Sequence, residues 1–314
     1  MVQLDRGARH VTAIGLNAGT PAVLPLKFQL GARTLAAIPR RLVRVPLSLA
    51  DVLAKRDPVL PPLDPSGDGY LLTSLPADQL ADVAGAGLLA HVRQRYTRYF
   101  VDLTAGEAAW LGALSANTRS GLKRKAKKLA GMPGFAVRRF RDPEEIAAFH
   151  PLARAVSATT YQERLLDAGL PADPTTLLRL AAADRLRAWL LELDGRPIAY
   201  LCCSAEGDTL RYDHVGHDPA HGTLSPGTVL QVEAMRDLFA EGRFARFDFT
   251  EGEGQHKRQL ATDGVACLDL LLLRPTLLNR AALAALGRFD AAMAWAKRAT
   301  THPRVAALAR RVRR

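Results

Sequence analysis

The chain has 314 residues, 48% of them hydrophobic and 24% charged, enough apolar content to bury a sizeable core, which argues against a disordered polypeptide and leaves room for roughly two domains. The three cysteines are odd in number and lack metal-like spacing, and adjacent Cys202 and Cys203 in an apolar run read as buried thiols of a reducing compartment. The formal charge of +12 is unevenly spread: from Lys297 to Arg314 there are seven Lys or Arg and no acid, and a second basic cluster comprises Arg119, Lys123, Arg124, Lys125, Lys127 and Lys128. Such clusters attract nucleic acid, anionic lipid or the phosphates of a nucleotide cofactor, and composition does not choose among these.

Residues 1–75 read as β-rich, with short apolar segments at Val11–Leu16, Ala22–Leu30 and Arg33–Ile38 separated by hairpin-type connections. The prolines between 58 and 65 mark a loop. Residues 76–93 have a helical pattern weakened by Gly85 and Gly87, and Tyr96–Leu103 is a strand rich in aromatic and β-branched residues. One helix is expected from Ala105 to Ala130, because Leu111, Leu114, Thr118, Leu122, Ala126 and Leu129 recur at steps of three and four, with the basic cluster alongside. A strand at Phe135–Phe140 and helices at Pro143–Ala155 and Thr175–Ala183 follow. Then Leu186–Leu193, Ile198–Ser204 and Thr209–Gly216, joined at Asp194-Gly195 and Glu206-Gly207, make an antiparallel meander. Ser225 as N-cap and Pro226 in the first turn open a helix to about Ala240. Strands at Arg243–Thr250 and Val265–Leu273 flank a glycine-rich acidic loop, and the chain from Thr276 is helical and increasingly basic. This order predicts an α/β (α+β) fold: a mixed, mostly antiparallel sheet flanked by helices. No signal-peptide layout and no bilayer-length apolar run are present, so a soluble cytoplasmic protein is expected.

Two segments are suited to chemistry. The helix start Ser225-Pro226-Gly227-Thr228 offers unpaired N–H groups and a partial positive charge for a phosphate, and Gly227 allows close approach; an ordinary capped helix reads the same way. From Asp248 to Lys257 a strand delivers Asp248 into a loop holding Glu251, Glu253, His256 and Lys257. Glu251, Glu253 or His256 could serve as general base and Lys257 could hold an oxyanion or a phosphate, although a solvated glycine-rich loop has the same composition. The basic helix is either a solvated face or, where its cations converge on these segments, a binding surface. The polar run Ser157-Ala158-Thr159-Thr160-Tyr161-Gln162 could line an acceptor pocket or form a turn. No serine elbow, P-loop, dinucleotide fingerprint or zincin motif occurs, and the scattered histidines lack partners for a metal site, so no metal is expected.

Taken in order, Asn117–Leu129, Gly195-Arg196-Pro197-Ile198-Ala199, Gly216-His217-Asp218-Pro219, Ser225-Pro226-Gly227 and Phe247–Lys257 resemble the FemAB-like and BioF2-like acetyltransferase branch of the GNAT superfamily, over roughly residues 10–275. The resemblance implies a partial GNAT-like unit at 1–95, an acyltransferase domain at 96–275 and a basic helical tail at 276–314. It places the family's basic-helix pattern on Arg119, Lys123, Arg124, Lys127 and Lys128, and its catalytic motif on Asp248–Lys257. Thr250 stands where the family has Gly, and His256 and His217 where it has Tyr. The implied co-substrate is acetyl-CoA or another acyl-CoA, with Glu251 or His256 as base and Tyr161, Gln162, His217 and Asp218 towards the acceptor. Two alternatives accompany it: Fem-like transfer from aminoacyl-tRNA, and a non-catalytic module whose basic tail touches an anionic membrane surface.

Overall fold

Alternating side chains with apolar cover on both sides give the sheet its strands. The computed structural model describes residues 21–30, 33–84, 87–160, 163, 169–252 and 254–301. In chain order the first elements are β1 (Ala22–Leu30), β2 (Arg33–Pro46), α1 (Leu49–Leu53), β3 (Gly69–Pro76), α2 (Leu80–Ala84) and β4 (Leu89–Asp102). Next come α3 (Glu107–Ala113), α4 (Ala116–Ala130), β5 (Ala136–Phe140), α5 (Pro143–Thr159), α6 (Thr175–Ala182), β6 (Leu186–Leu193), β7 (Arg196–Glu206) and β8 (Thr209–His217). The chain then forms α7 (Pro226–Glu241), β9 (Arg246–Asp248), α8 (Gln255–Leu260), β10 (Asp263–Leu273) and α9 (Leu277–Thr301). These fall into two units, one holding Ser48–Arg56 and Tyr96–Cys267, the other residues 21–47, Asp57–Arg95 and 268–301. The chain passes from one to the other within β4 and within β10.

In the larger unit the strand order is β4-β9-β8-β7-β6-β5. Its pairs are antiparallel except β8 with β9. All eight residues of β6 are buried because helices cover both faces. Trp189, Leu191 and Leu193 join a core with Trp110 of α3, Leu129 of α4 and Val229, Val232 and Met235 of α7. Leu186, Ala188 and Leu190 meet Phe149 and Val156 of α5 and Leu177 of α6 on the other face. Cys203 belongs to the first core and Cys202 to the second, both as free thiols. The smaller unit holds β1 and β2 as a hairpin, β3 parallel to β2, and the end of β10 beside β3. Gly69 permits that last approach, since a Cβ there would lie 2.0 Å from the Leu272 carbonyl oxygen. Ala282 and Leu286 of α9 close over Leu26, Leu42, Leu271 and Leu273.

Several expectations need correction. Residues 76–93 are not one helix: α2 is short, Gly87 has φ +72, and the strand begins at Leu89. The helix expected at Ala105–Ala130 breaks at Leu114, which is extended, and Ser115 accepts the Thr118 N–H at 3.1 Å to start α4. A cap inside a three-four apolar repeat ends one helix and begins another without disturbing the pattern. The strand expected at Arg243–Thr250 shrinks to β9, because Thr250 adopts φ +60. Val11–Leu16, Gly85, Tyr161, Gln162, Glu253 and residues 302–314 lie outside the described residues. Among the described residues no helix is long and apolar enough to cross a membrane.

Candidate active site

β8 and β9 run parallel and share three register pairs, Thr209↔Arg246, Leu210↔Phe247 and Arg211↔Asp248. Beyond these they part. A register shift leaves Asp213 as an extra residue on β8, between Tyr212 opposite Cys203 and His214 opposite Cys202. Such a bulge bends the strand that carries it. On the other side Phe249 gives its N–H to the Tyr99 carbonyl on β4 at 3.0 Å. From Asp213 to His217 the edge of β8 facing away from β7 therefore has no strand partner among the described residues.

A buried ion pair fixes where the strands separate. Arg98 donates to the Asp248 carboxylate from Nη2 at 2.6 Å and from Nε at 3.2 Å, and the same carboxylate accepts the Thr250 N–H at 2.8 Å. Burial pulls the Asp248 carboxyl upward, but the Arg98 charge and hydrogen bonds hold it below the usual carboxylate range. Thr250 is thereby kept in a left-handed conformation that costs a β-branched residue about 1–3 kcal/mol. Asp248, expected to act on substrate, is wholly enclosed, and its contacts go to Arg98 and the loop backbone. Sequence reasoning missed Arg98. The available signal was an arginine in register with Tyr96 and Phe100, all three buried on one side of β4.

At the far end of β8, a 3-10 turn (Pro219–Leu224) leads to Ser225 and α7. Ser225 occupies the cap position but its side chain makes no cap bond, a correction: it is left-handed, φ 55 and ψ 47, which points the side chain away from the first turn. Its carbonyl accepts the N–H groups of Thr228 and Val229 at 3.1 and 3.2 Å. The space above Gly227 is open apart from His217, whose Nδ1 lies 3.7 Å from where a Cβ would stand. His217 is exposed, and partial desolvation lowers its pKa against the opposing pull of Asp218. Asp218 itself is committed to the turn, accepting the Ala220 N–H at 2.9 Å.

The loop after β9 closes on itself. Buried Lys257 donates from Nζ to the Glu251 carbonyl at 2.6 Å. The His256 ring stands 6.1 Å from that of Tyr212, which also meets Phe247 and Phe249 at 6.0 and 5.9 Å. Burial pushes the Tyr212 phenol well above its ordinary pKa, so it keeps its proton at neutral pH. Tyr212 has no motif around it, and the sequence reading passed over it. His256 thus flanks Tyr212, and Gly227 flanks His217, five residues further along the same strand, about 16 Å at ~3.3 Å per residue.

α4 runs beside α7 and reaches this end of the sheet, where Lys128 Nζ donates to the Thr223 carbonyl at 3.4 Å. Arg119 is engaged elsewhere: its Nη1 donates to the carbonyls of Gly112 at 3.0 Å, Leu111 at 3.4 Å and Leu114, satisfying the end of α3. Lys123 and Arg124 are exposed. In the polar run, Ser157 Oγ accepts the Leu170 N–H at 2.9 Å and Thr160 Oγ1 donates to the Ser157 carbonyl at 2.7 Å.

Residues 116–258, from the first residue of α4 into α8, match the family described as an acetyltransferase (GNAT) domain. Over those residues the chain is similar to a GNAT domain. Solved structures resemble it as well. The C-terminal domain of a protein named as a lysylphosphatidylglycerol synthetase, from Agrobacterium fabrum, aligns at 15% identity over 70% of this chain and 71% of its own, with a TM-score of 0.50. FemX aligns at 11% identity over 81% and 89%, TM-score 0.49, and a GCN5-related N-acetyltransferase from Kribbella flavida at 16% over 67% and 69%, TM-score 0.39. At 15% identity the first of these likenesses speaks for the fold alone. No curated protein matches the chain in sequence. The fold is GNAT-like, with the mixed, mostly antiparallel sheet and flanking helices expected from its sequence.

Proposed function

We propose that the GNAT domain moves an acyl group from a phosphate-bearing thioester, acetyl-CoA or another acyl-CoA, to an amine or hydroxyl acceptor. The observation that carries this reading is the parting of β8 from β9 after Arg211↔Asp248, which leaves a bare strand edge between the α7 N-terminus and His256. The first turn of α7, with Gly227 open above it, suits the donor phosphates. Backbone N–H groups along the bare edge suit the thioester carbonyl and the oxyanion that forms when it is attacked. His256 or Glu251 takes the proton of the attacking acceptor, the carbon–sulfur bond breaks as the tetrahedral centre collapses, and that proton passes to the leaving sulfur, with the Tyr212 hydroxyl available as a relay that gives one proton and regains another from the base. Lys257 and Asp248 position the loop that presents these groups.

Calorimetric titration with acetyl-CoA tests the reading. Gly227→Glu, which puts an anion where the phosphates would sit, should weaken binding at least about tenfold. His256→Ala should lower kcat by about 10²–10⁴ with binding retained. Absence of acetyl-CoA binding at millimolar concentration overturns it. A second reading rests on α4, whose exposed Lys123, Arg124, Lys127 and Lys128 lead to the turn before α7 and would suit a larger polyanionic donor such as aminoacyl-tRNA. Charged tRNA should then shift the protein on a native gel at low salt and release it steeply as salt rises.

A further inference from the structure

Between α4 and α7 lies a cavity of about 240 Å³. Its floor is apolar, built from Leu122 and Ala126 of α4 and from Val229 and Val232 of α7. Its rim is cationic, with Arg119 and Lys123 on α4 and Arg236 on α7. The three cations differ in what they have left to offer. Arg236 is more than balanced by two carboxylates, Glu107 at 3.1 Å and Glu233 at 2.7 Å, so it offers an anion nothing. Arg119 meets carbonyl oxygens, which use its N–H groups but leave its charge. Lys123 is exposed, and no acid occurs anywhere from Ser115 to Ala130 to answer it.

We propose that this cavity binds a single-chain anionic amphiphile, with the alkyl chain laid on the valines and Ala126 and a phosphate or carboxylate head held by Lys123 and Arg119. The complementarity is twofold: apolar wall removed from water drives the tail in, and the unanswered positive charge of α4 selects the head. A neutral alkyl chain satisfies only the first condition, a free anion only the second. The cavity runs along the flank of α7 from Val229 and holds neither His217, Tyr212 nor His256, so the proposal stands apart from the acyl-CoA reading, while Lys123 is common to it and to the aminoacyl-tRNA reading.

The test is a calorimetric titration of the full chain, below the critical micelle concentration, with decyl phosphate, decanoate, decyl maltoside and inorganic phosphate. One or both decyl anions should bind at one per chain, and the maltoside and inorganic phosphate should bind at least about tenfold more weakly. Decyl phosphate binding without decanoate points to a lipid phosphate head, and the reverse to a fatty acid. Lys123→Glu, an exposed change, and Ala126→Trp, which fills the groove, should each weaken the decyl anions at least about tenfold. The proposal is overturned by absence of saturable binding, by equal binding of the maltoside, or by binding that neither variant alters. Acetyl-CoA affinity measured on Ala126→Trp separates this site from the cleft, because it should stay unchanged.

Discussion

Replacing Arg98 with Met removes the partner of a carboxylate that has no access to water. Breaking a buried ion pair from one side costs about 3–5 kcal/mol, a large part of the ~5–15 kcal/mol that holds a domain folded. The pH dependence identifies the cause. In the native protein the folded Asp248 pKa lies below its ordinary 3.8, so its contribution is complete above that value and is lost as pH falls through the folded one. Without Arg98, burial outweighs the Thr250 hydrogen bond and the Arg211 charge that remain, the carboxyl is raised, and the sign reverses. The variant is then penalised as pH rises, by about 1.4 kcal/mol per unit, until the raised pKa is passed. Urea unfolding at pH 5 and pH 8 should show Arg98→Met losing more at pH 8, while Arg98→Met/Asp248→Asn, which keeps an acceptor for Thr250, regains about 1–3 kcal/mol of the loss. A deficit under about 1 kcal/mol, or one equal at both pH values, would refute the argument that this pair holds the strands apart.

Two further outcomes concern β8 and the loop after β9. Burial lowers the His214 pKa from 6.5 to about 4, so the folded state resists protonation and stability should fall as pH drops from about 6.5 towards 4, by about 2 kcal/mol at pH 5. His214→Leu should remove that share of the acid sensitivity in urea unfolding, and an unchanged pH profile contradicts the assignment. Thr250→Gly relieves a left-handed β-branched residue and should raise thermal stability by the equivalent of about 1 kcal/mol. A lowered melting temperature would mean that the Thr250 side chain contributes more than its conformation costs.

The meander of β6, β7 and β8 was legible because its turns declare themselves: Asp194 and Gly195 have φ 48 and 71, the left-handed pair that a two-residue hairpin turn requires. Pro226 likewise marked the start of α7 within a residue. What sequence hid was set by partners distant in the chain. Arg98 acquires its meaning from Asp248, 150 residues away, and Tyr212 from a loop that returns beside it only after α7 and β9. The break between α3 and α4 was hidden for a local reason, since Leu111, Leu114 and Leu122 keep the spacing of one helix across it. The groove along α7 had no trace in either segment taken alone, because each contributes only half of its floor.

If the first turn of α7 takes the donor phosphates as proposed, His217 would couple their binding to a proton. Partial desolvation lowers the pKa of this exposed ring when it is free; a phosphate bound beside it would favour the charged form, and the complex would take up a proton from solution. Donor affinity should therefore climb towards mildly acidic solution, and the apparent heat of binding should change with the ionisation enthalpy of the buffer, a signature that a helix terminus without titratable neighbours does not produce.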